Sequence, residues 1–166
     1  MIRQGLLLAA FSLFALNAGA QNASEIEAVR SGHSCAGCNL FQANLSYHDL
    51  PGLDLSGARL KQSDLSLSTM NKANFAGSNL AISNMFGGRF TGASFKNADL
   101  SRTVLVGAYL GGADLSGANL SGANLSGAEL TTAKGLTQDQ LDTSCGDATT
   151  HLPEGLQIPL CRALIH

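Results

Sequence analysis

Four cysteines and four histidines are the residues of this chain best suited to chemistry, and two of each crowd near its start. Cys35-Ala36-Gly37-Cys38 has the C-x-x-C spacing, with His33 before it and His48 ten residues beyond. Such a pair serves thioredoxin-like redox exchange inside a βαβ setting, haem attachment when His follows, or zinc binding with two further ligands. No βαβ pattern follows, and Asn39 stands where haem attachment needs His. A structural disulfide is the favoured reading, with a metal or redox role at Cys35 and Cys38, helped by His33 and His48, as the alternative. Six acidic residues, Asp49, Asp54, Asp64, Asp99, Asp114 and Glu129, could pair for acid–base work. Each, however, lies one residue before a large apolar residue, a fixed register that points to turn roles. The chain has no G-x-S-x-G, no H-E-x-x-H and no phosphate-cradling loop. Its glycines are turn residues on the same five-residue period. No catalytic, cofactor or metal residue is assigned, and the chain is not read as an enzyme.

That register governs the chain. From Leu40 to Leu130 every fifth residue is Leu, Met or Phe, and two before it sits a mostly small one, as in Ala113-Asp114-Leu115-Ser116-Gly117. A helix needs apolar steps of three and four, and a strand needs alternation, so a period of five is neither. Fixed self-similarity marks a repeat architecture whose units bury their apolar sides only against each other. Small and large residues two apart share a side of an extended segment, which must face inward. Glycine after the large residue allows a sharp turn.

The unit resembles the pentapeptide-repeat family, with signature A-(D/N)-L-x-x, over about Cys38 to Thr132. The resemblance implies an all-β fold: a right-handed quadrilateral β-helix, four units per coil. Four stacked faces follow. The first carries Leu40, Leu60, Leu80, Leu100 and Leu120, and the second Leu45, Leu65, Met85, Leu105 and Leu125. The third carries Leu50, Met70, Phe90, Leu110 and Leu130, and the fourth Leu55, Phe75, Phe95 and Leu115. Coils at about 4.8 Å spacing give a body roughly 23 Å long.

The ends need covering, because an open solenoid exposes apolar cross-section and unpaired backbone. A short helix is expected over Ala23 to Arg30, and another over Leu136 to Leu141 with Thr137 as N-cap. Residues 1–20 read as a signal peptide: Arg3, an apolar stretch from Gly5 to Leu16, and Ala18-Gly19-Ala20 with cleavage after Ala20. The organisation is then signal peptide 1–20, N-terminal cap 21–37, β-helix 38–132, and C-terminal cap and tail 133–166. The location is periplasmic or secreted, with no membrane span after cleavage. In that compartment four cysteines favour disulfides. The length of the rod separates its ends, so the expected pairs are Cys35–Cys38 and Cys145–Cys161.

The full chain has 10 basic and 12 acidic residues, a net charge of −2. That is too mild to indicate a nucleic-acid partner. Some relatives in the resembled family mimic DNA and bind type II topoisomerases; the signal segment and the basic middle (Arg59, Lys61, Lys72, Arg89, Lys96, Arg102) argue against that role here. Arg89 and Tyr109 fall in one column, one coil apart, where a cation–π contact fits. Outward positions of the second face hold Tyr47, Leu67, Phe86, Val104 and Val106. A contiguous apolar patch marks a partner or dimer surface, unless a loop or tail covers it. The favoured function is a non-catalytic extracytoplasmic scaffold binding another protein or itself.

Overall fold

The computed structural model describes residues 21–161. The signal-peptide reading of residues 1–20 lies outside the described residues. The chain winds as a solenoid, and its coil length is set by parallel bridges between residues twenty apart. One column runs Asn39, Arg59, Asn79, Asp99, Asn119, and the next Asn44, Asp64, Asn84, Val104, Asn124. Each bridge is a pair of bonds: the Leu45 amide donates to the Asp64 carbonyl at 2.7 Å, and the Asp64 amide to the Ala43 carbonyl at 2.9 Å. Four such bridges per coil give the four columns expected from the sequence.

A turn separates each bridge from the next. In the first, the Ala43 amide donates to the Leu40 carbonyl at 3.0 Å, and Gln42 has φ +54°. This three-residue closure with a left-handed third residue fits a type II turn, which favours glycine there. Glycine fills that position at Gly87, Gly107 and Gly127, for example, but Tyr47, Leu67 and Ile82 hold it at φ +60°, +54° and +60°. Among the described residues, two of these turns lack the closing bond, Leu45 to His48 and Leu50 to Leu53. There His48 and Leu53 replace the small residue, yet the turn and its left-handed third residue, Tyr47 or Gly52, are kept.

The core is a narrow column filled by large side chains from all four faces. Every large residue of the series from Leu40 to Leu130 is buried, as are the small residues beside them. In the middle coils Phe75 and Phe95 stack with ring centres 5.1 Å apart, and Phe90 meets both edge-on. Such pairs add to the area they bury.

Both ends are closed by side chains bonding to the exposed backbone. Helix α1 (Ala23–Arg30) begins at Asn22, whose side chain accepts from the Glu25 amide, and buries Ile26 and Val29. Its Glu25 carboxylate accepts the Asn39 amide at 2.6 Å, and the Arg30 guanidinium donates twice to the Asn44 carbonyl. Helix α2 (Gln138–Asp142) opens on a capping box between Thr137 and Gln140 and buries Leu141. The Gln140 side-chain amide Nε2 donates to the carbonyls of Leu115 and Ala118, each at 2.8 Å. The five-residue period stops near Thr132, but the pairing does not. Asp114 bridges Lys134, Asn124 bridges Cys145, and Glu129 bridges His151, so the spacing lengthens from 20 to 21 and 22 around α2. Gly146 then bridges Leu160, laying the tail along the second column.

Candidate functional site

The residues singled out for chemistry are absorbed by the repeat. Cys35 stands one coil below Leu55 and takes the place of a large residue, its amide donating to the Asp54 carbonyl. Cys38 takes the small position three residues on, with the exposed turn at Gly37 (φ +72°) between them. Their sulfurs are bonded across the turn, with Cα atoms 5.5 Å apart. Cys145 and Cys161 are likewise bonded, with Cα atoms 4.8 Å apart. His33 is exposed, and half-buried His48 has Nδ1 2.7 Å from the Ser46 carbonyl. Among the described residues no group of three or more His, Cys, Asp or Glu could hold a metal ion.

The acidic residues serve the turns. The Asp54 carboxylate accepts the Ser56 amide at 3.0 Å and the Asn74 side-chain amide, one coil up, at 3.0 Å. Asp64 repeats both bonds with Ser66 and Asn84. The Ser56 hydroxyl and amide hold the Asp54 carboxyl below the usual range, as Ser116 does for Asp114, Thr131 for Glu129 and Thr149 for Asp147. A carboxylate held ionised by such bonds is a turn cap and a poor proton donor. Arg89 sits over the Tyr109 ring at 5.1 Å. The other cations of the middle coils are exposed and spread over three faces.

The second face differs from the rest. Over residues 44–47, 64–67, 84–87, 104–107 and 124–127, Asp64 is its one charged residue. The first face carries Arg59, Lys61, Asp99 and Arg102; the third Asp49, Lys72, Arg89 and Glu129; the fourth Asp54, Lys96, Asp114 and Lys134. On the second face Tyr47 is 77% exposed, Leu67 44%, Phe86 47% and Val104 39%, while Val106 is half-buried. They adjoin through the backbone: the Leu67 amide donates to the Phe86 carbonyl, the Met85 amide to Val104, and the Gly87 amide to Val106. Leu67 leans onto the next coil, where a Cβ at Gly87 would stand 2.8 Å from its Cδ2. Above it the corner carries glycine, open at Gly107 but met at Gly127 by the Thr149 hydroxyl and the Asp147 carboxylate, which accepts the Gly127 amide at 3.1 Å. Folding the sequence by four exposes the lack of charge; the left-handed backbone at Tyr47 and Leu67 has no sequence signal.

Among the described residues no helix is long and apolar enough to cross a membrane. No curated protein sequence matches the chain. Among solved structures it is similar to HetL of the cyanobacterium Nostoc sp. strain PCC 7120, described as involved in heterocyst differentiation regulation. Identity there is 37%, with a TM-score of 0.57, over 60% of this chain and 48% of HetL. The chain thus spans about half the length of HetL. It is also similar to alr5209, a pentapeptide repeat protein of Nostoc PCC 7120, at 25% identity and a TM-score of 0.54, over 82% of this chain and 88% of that one. A model of eight pentapeptide repeats matches residues 34–71, 52–85, 70–108 and 98–134. With the twenty-residue bridging and the uninterrupted core, this chain belongs to the pentapeptide-repeat family.

Proposed function

We propose that the protein is a non-catalytic, extracytoplasmic scaffold that binds protein through the second face of a right-handed quadrilateral β-helix, closed by helical caps. The single observation carrying this reading is the charge-poor face with Leu67, Phe86 and Val104 exposed side by side. Depletion of charge with aromatic enrichment is the composition of an interface centre. Leu67 and Tyr47 also hold left-handed backbone, which costs about 1–2 kcal/mol each and which glycine would avoid. Strain of that kind clusters where side chains have a task. The extracytoplasmic location is supported by the leader read from residues 1–20 and by cysteines joined in two pairs.

The test is capture from an extracytoplasmic fraction by the mature chain and by a Leu67→Gly/Phe86→Ser variant. Leu67→Gly restores the glycine that the same corner carries one coil on, so the fold tolerates it. Proteins retained by the native chain and lost by the variant are expected. Identical sets of captured proteins refute the reading.

A further inference from the structure

We propose that Cys35–Cys38 is a redox-exchange site that takes two electrons from a dithiol, while Cys145–Cys161 is the bond that holds the fold. The two disulfides differ in what the backbone needs of them. The Cys35 amide donates to the Asp54 carbonyl at 2.8 Å, the Gly37 amide to Ser56 at 2.8 Å and the Cys38 amide to Cys35 at 3.4 Å. The Cys38 carbonyl accepts the Arg59 amide at 2.8 Å. One coil up, the Leu55, Gly57 and Ala58 amides and the Ala58 carbonyl make the same four bonds, to Asn74, Ala76, Leu55 and Asn79, with no covalent link. The repeat therefore builds this turn without help from sulfur. Opening the disulfide leaves both thiols in place, on Cα atoms 5.5 Å apart, within the span from which the bond forms again.

The second disulfide has no such duplicate. It ties the tail to the last coil, where Gly146 donates to the Pro159 carbonyl and accepts the Cys161 amide. The segment it closes carries Leu152, Leu156 and Ile158 against the core. Its sequence separation is 16, against 3 for Cys35–Cys38. In the chain-entropy model the longer closure shifts the folding equilibrium roughly tenfold more than the shorter one. Reduction at Cys35–Cys38 is thus the step the fold resists less. An attacking group also has a way in. Both cysteines are half-buried in the lowest turn of the rod, Ala36 and Gly37 between them are exposed, and a Cβ at Gly37 would meet nothing within 4 Å.

The exchange is balanced by a dithiol co-reactant. Its thiolate attacks one sulfur of the pair, a mixed disulfide forms, and the other cysteine leaves as a thiolate. The second thiol of the co-reactant then displaces the remaining cysteine. The co-reactant departs as a disulfide, and its two protons and two electrons end on Cys35 and Cys38. One such exchange per chain is stoichiometric, and it is independent of the second face.

Graded mixtures of reduced and oxidised dithiothreitol, followed by acid quench, alkylation and peptide mass mapping, read each pair separately. Cys35 and Cys38 are expected to be alkylated at a reductant ratio at least about tenfold lower than Cys145 and Cys161 require. Circular dichroism should stay native at that ratio, and glutathione disulfide should restore the bond. Cys35→Leu/Cys38→Ala, which installs the residues of the unit above, should fold and melt above Cys145→Ala/Cys161→Ala. Opening of Cys145–Cys161 first, or of both pairs together, overturns the proposal. So does loss of native circular dichroism when Cys35–Cys38 alone is reduced, or a Cys35→Leu/Cys38→Ala chain that melts no higher than the other double variant.

Discussion

Removing one buried hydroxyl, that of Ser83, is expected to stabilise the protein. At the small position of other units, serine hydroxyls donate to the carbonyl three residues back: Ser63 to Leu60, Ser68 to Leu65, Ser78 to Phe75. Ser83 is set to use Leu80 in the same way, but Thr103, one coil up, donates its hydroxyl to the Leu80 carbonyl at 3.0 Å. The Ser83 hydroxyl is left buried without a partner. An unsatisfied buried polar group costs about 1–3 kcal/mol. Ser83→Ala removes that cost and leaves a void of about 15 Å³, worth about 0.4 kcal/mol at about 24 cal/mol per Å³. The net is a gain of about 1 kcal/mol, or about 2–4 °C in thermal midpoint for a chain of this size.

The same geometry predicts a coupling. Thr103→Val frees the Leu80 carbonyl for Ser83, so one bond replaces another and the orphaned hydroxyl is satisfied, a gain of about 1 kcal/mol like that of Ser83→Ala. With alanine already at 83, Thr103→Val loses its bond outright, at about 1 kcal/mol. Thermal unfolding of the two single variants and the double variant reads both quantities. A Ser83→Ala chain less stable than the native one refutes the reasoning, as does strict additivity.

Two further outcomes follow from the turns. Gly87→Ala places a Cβ 2.8 Å from Leu67 Cδ2, on top of the left-handed backbone penalty that Gly107→Ala pays in open space. Gly87→Ala is therefore expected to cost more than Gly107→Ala, each above about 1 kcal/mol, and Leu67→Gly should erase the difference between them in urea unfolding. The lowered carboxyls of Asp54, Asp114, Glu129 and Asp147 make a folded-state contribution that is complete above the unfolded carboxyl value, near pH 4, and lost as pH falls through the folded values. The thermal midpoint should drop below about pH 4. The variant with Asn at 54, 114 and 147 and Gln at 129 keeps the accepting oxygens and should drop less; an equal drop contradicts the assignment.

The five-residue spacing carries the solenoid, its columns and the inward residues, because burial in a narrow core admits few residue types. It stopped short at both ends for physical reasons. Cys35 and Cys38 occupy the large and small positions of a further unit, but a bonded cysteine pair fills them instead of Leu and Ala, so the pattern is disguised. Cys145 and His151 continue the ladder, but α2 inserts residues and moves the spacing off twenty. His48 and Leu53 fall in register, yet their turns lack the closing bond, which spacing does not encode. The patch is legible by residue type, but the strain beneath Leu67 and Tyr47 requires the backbone angles.

A perfect repeat presents equivalent surfaces on all sides, so a partner can distinguish one side only by departures that folding does not require. Strain alone does not identify them. Ile82 is as left-handed as Tyr47, branched at Cβ and 38% exposed, so its backbone is at least as costly. Yet Arg102 follows one coil up its own corner column, and Arg59 and Lys61 lie on the same face. Any surface pressed there must strip water from the exposed Arg102 and Lys61 cations, and desolvating a charge costs more than one isoleucine returns. Leu67 stands where that penalty is absent: its neighbours are Phe86, Ser66 and Gly87, and the nearest charge, Asp64, already accepts from Ser66 and Asn84. The conjunction of strained apolar side chains with missing charge, rather than either alone, selects the second face.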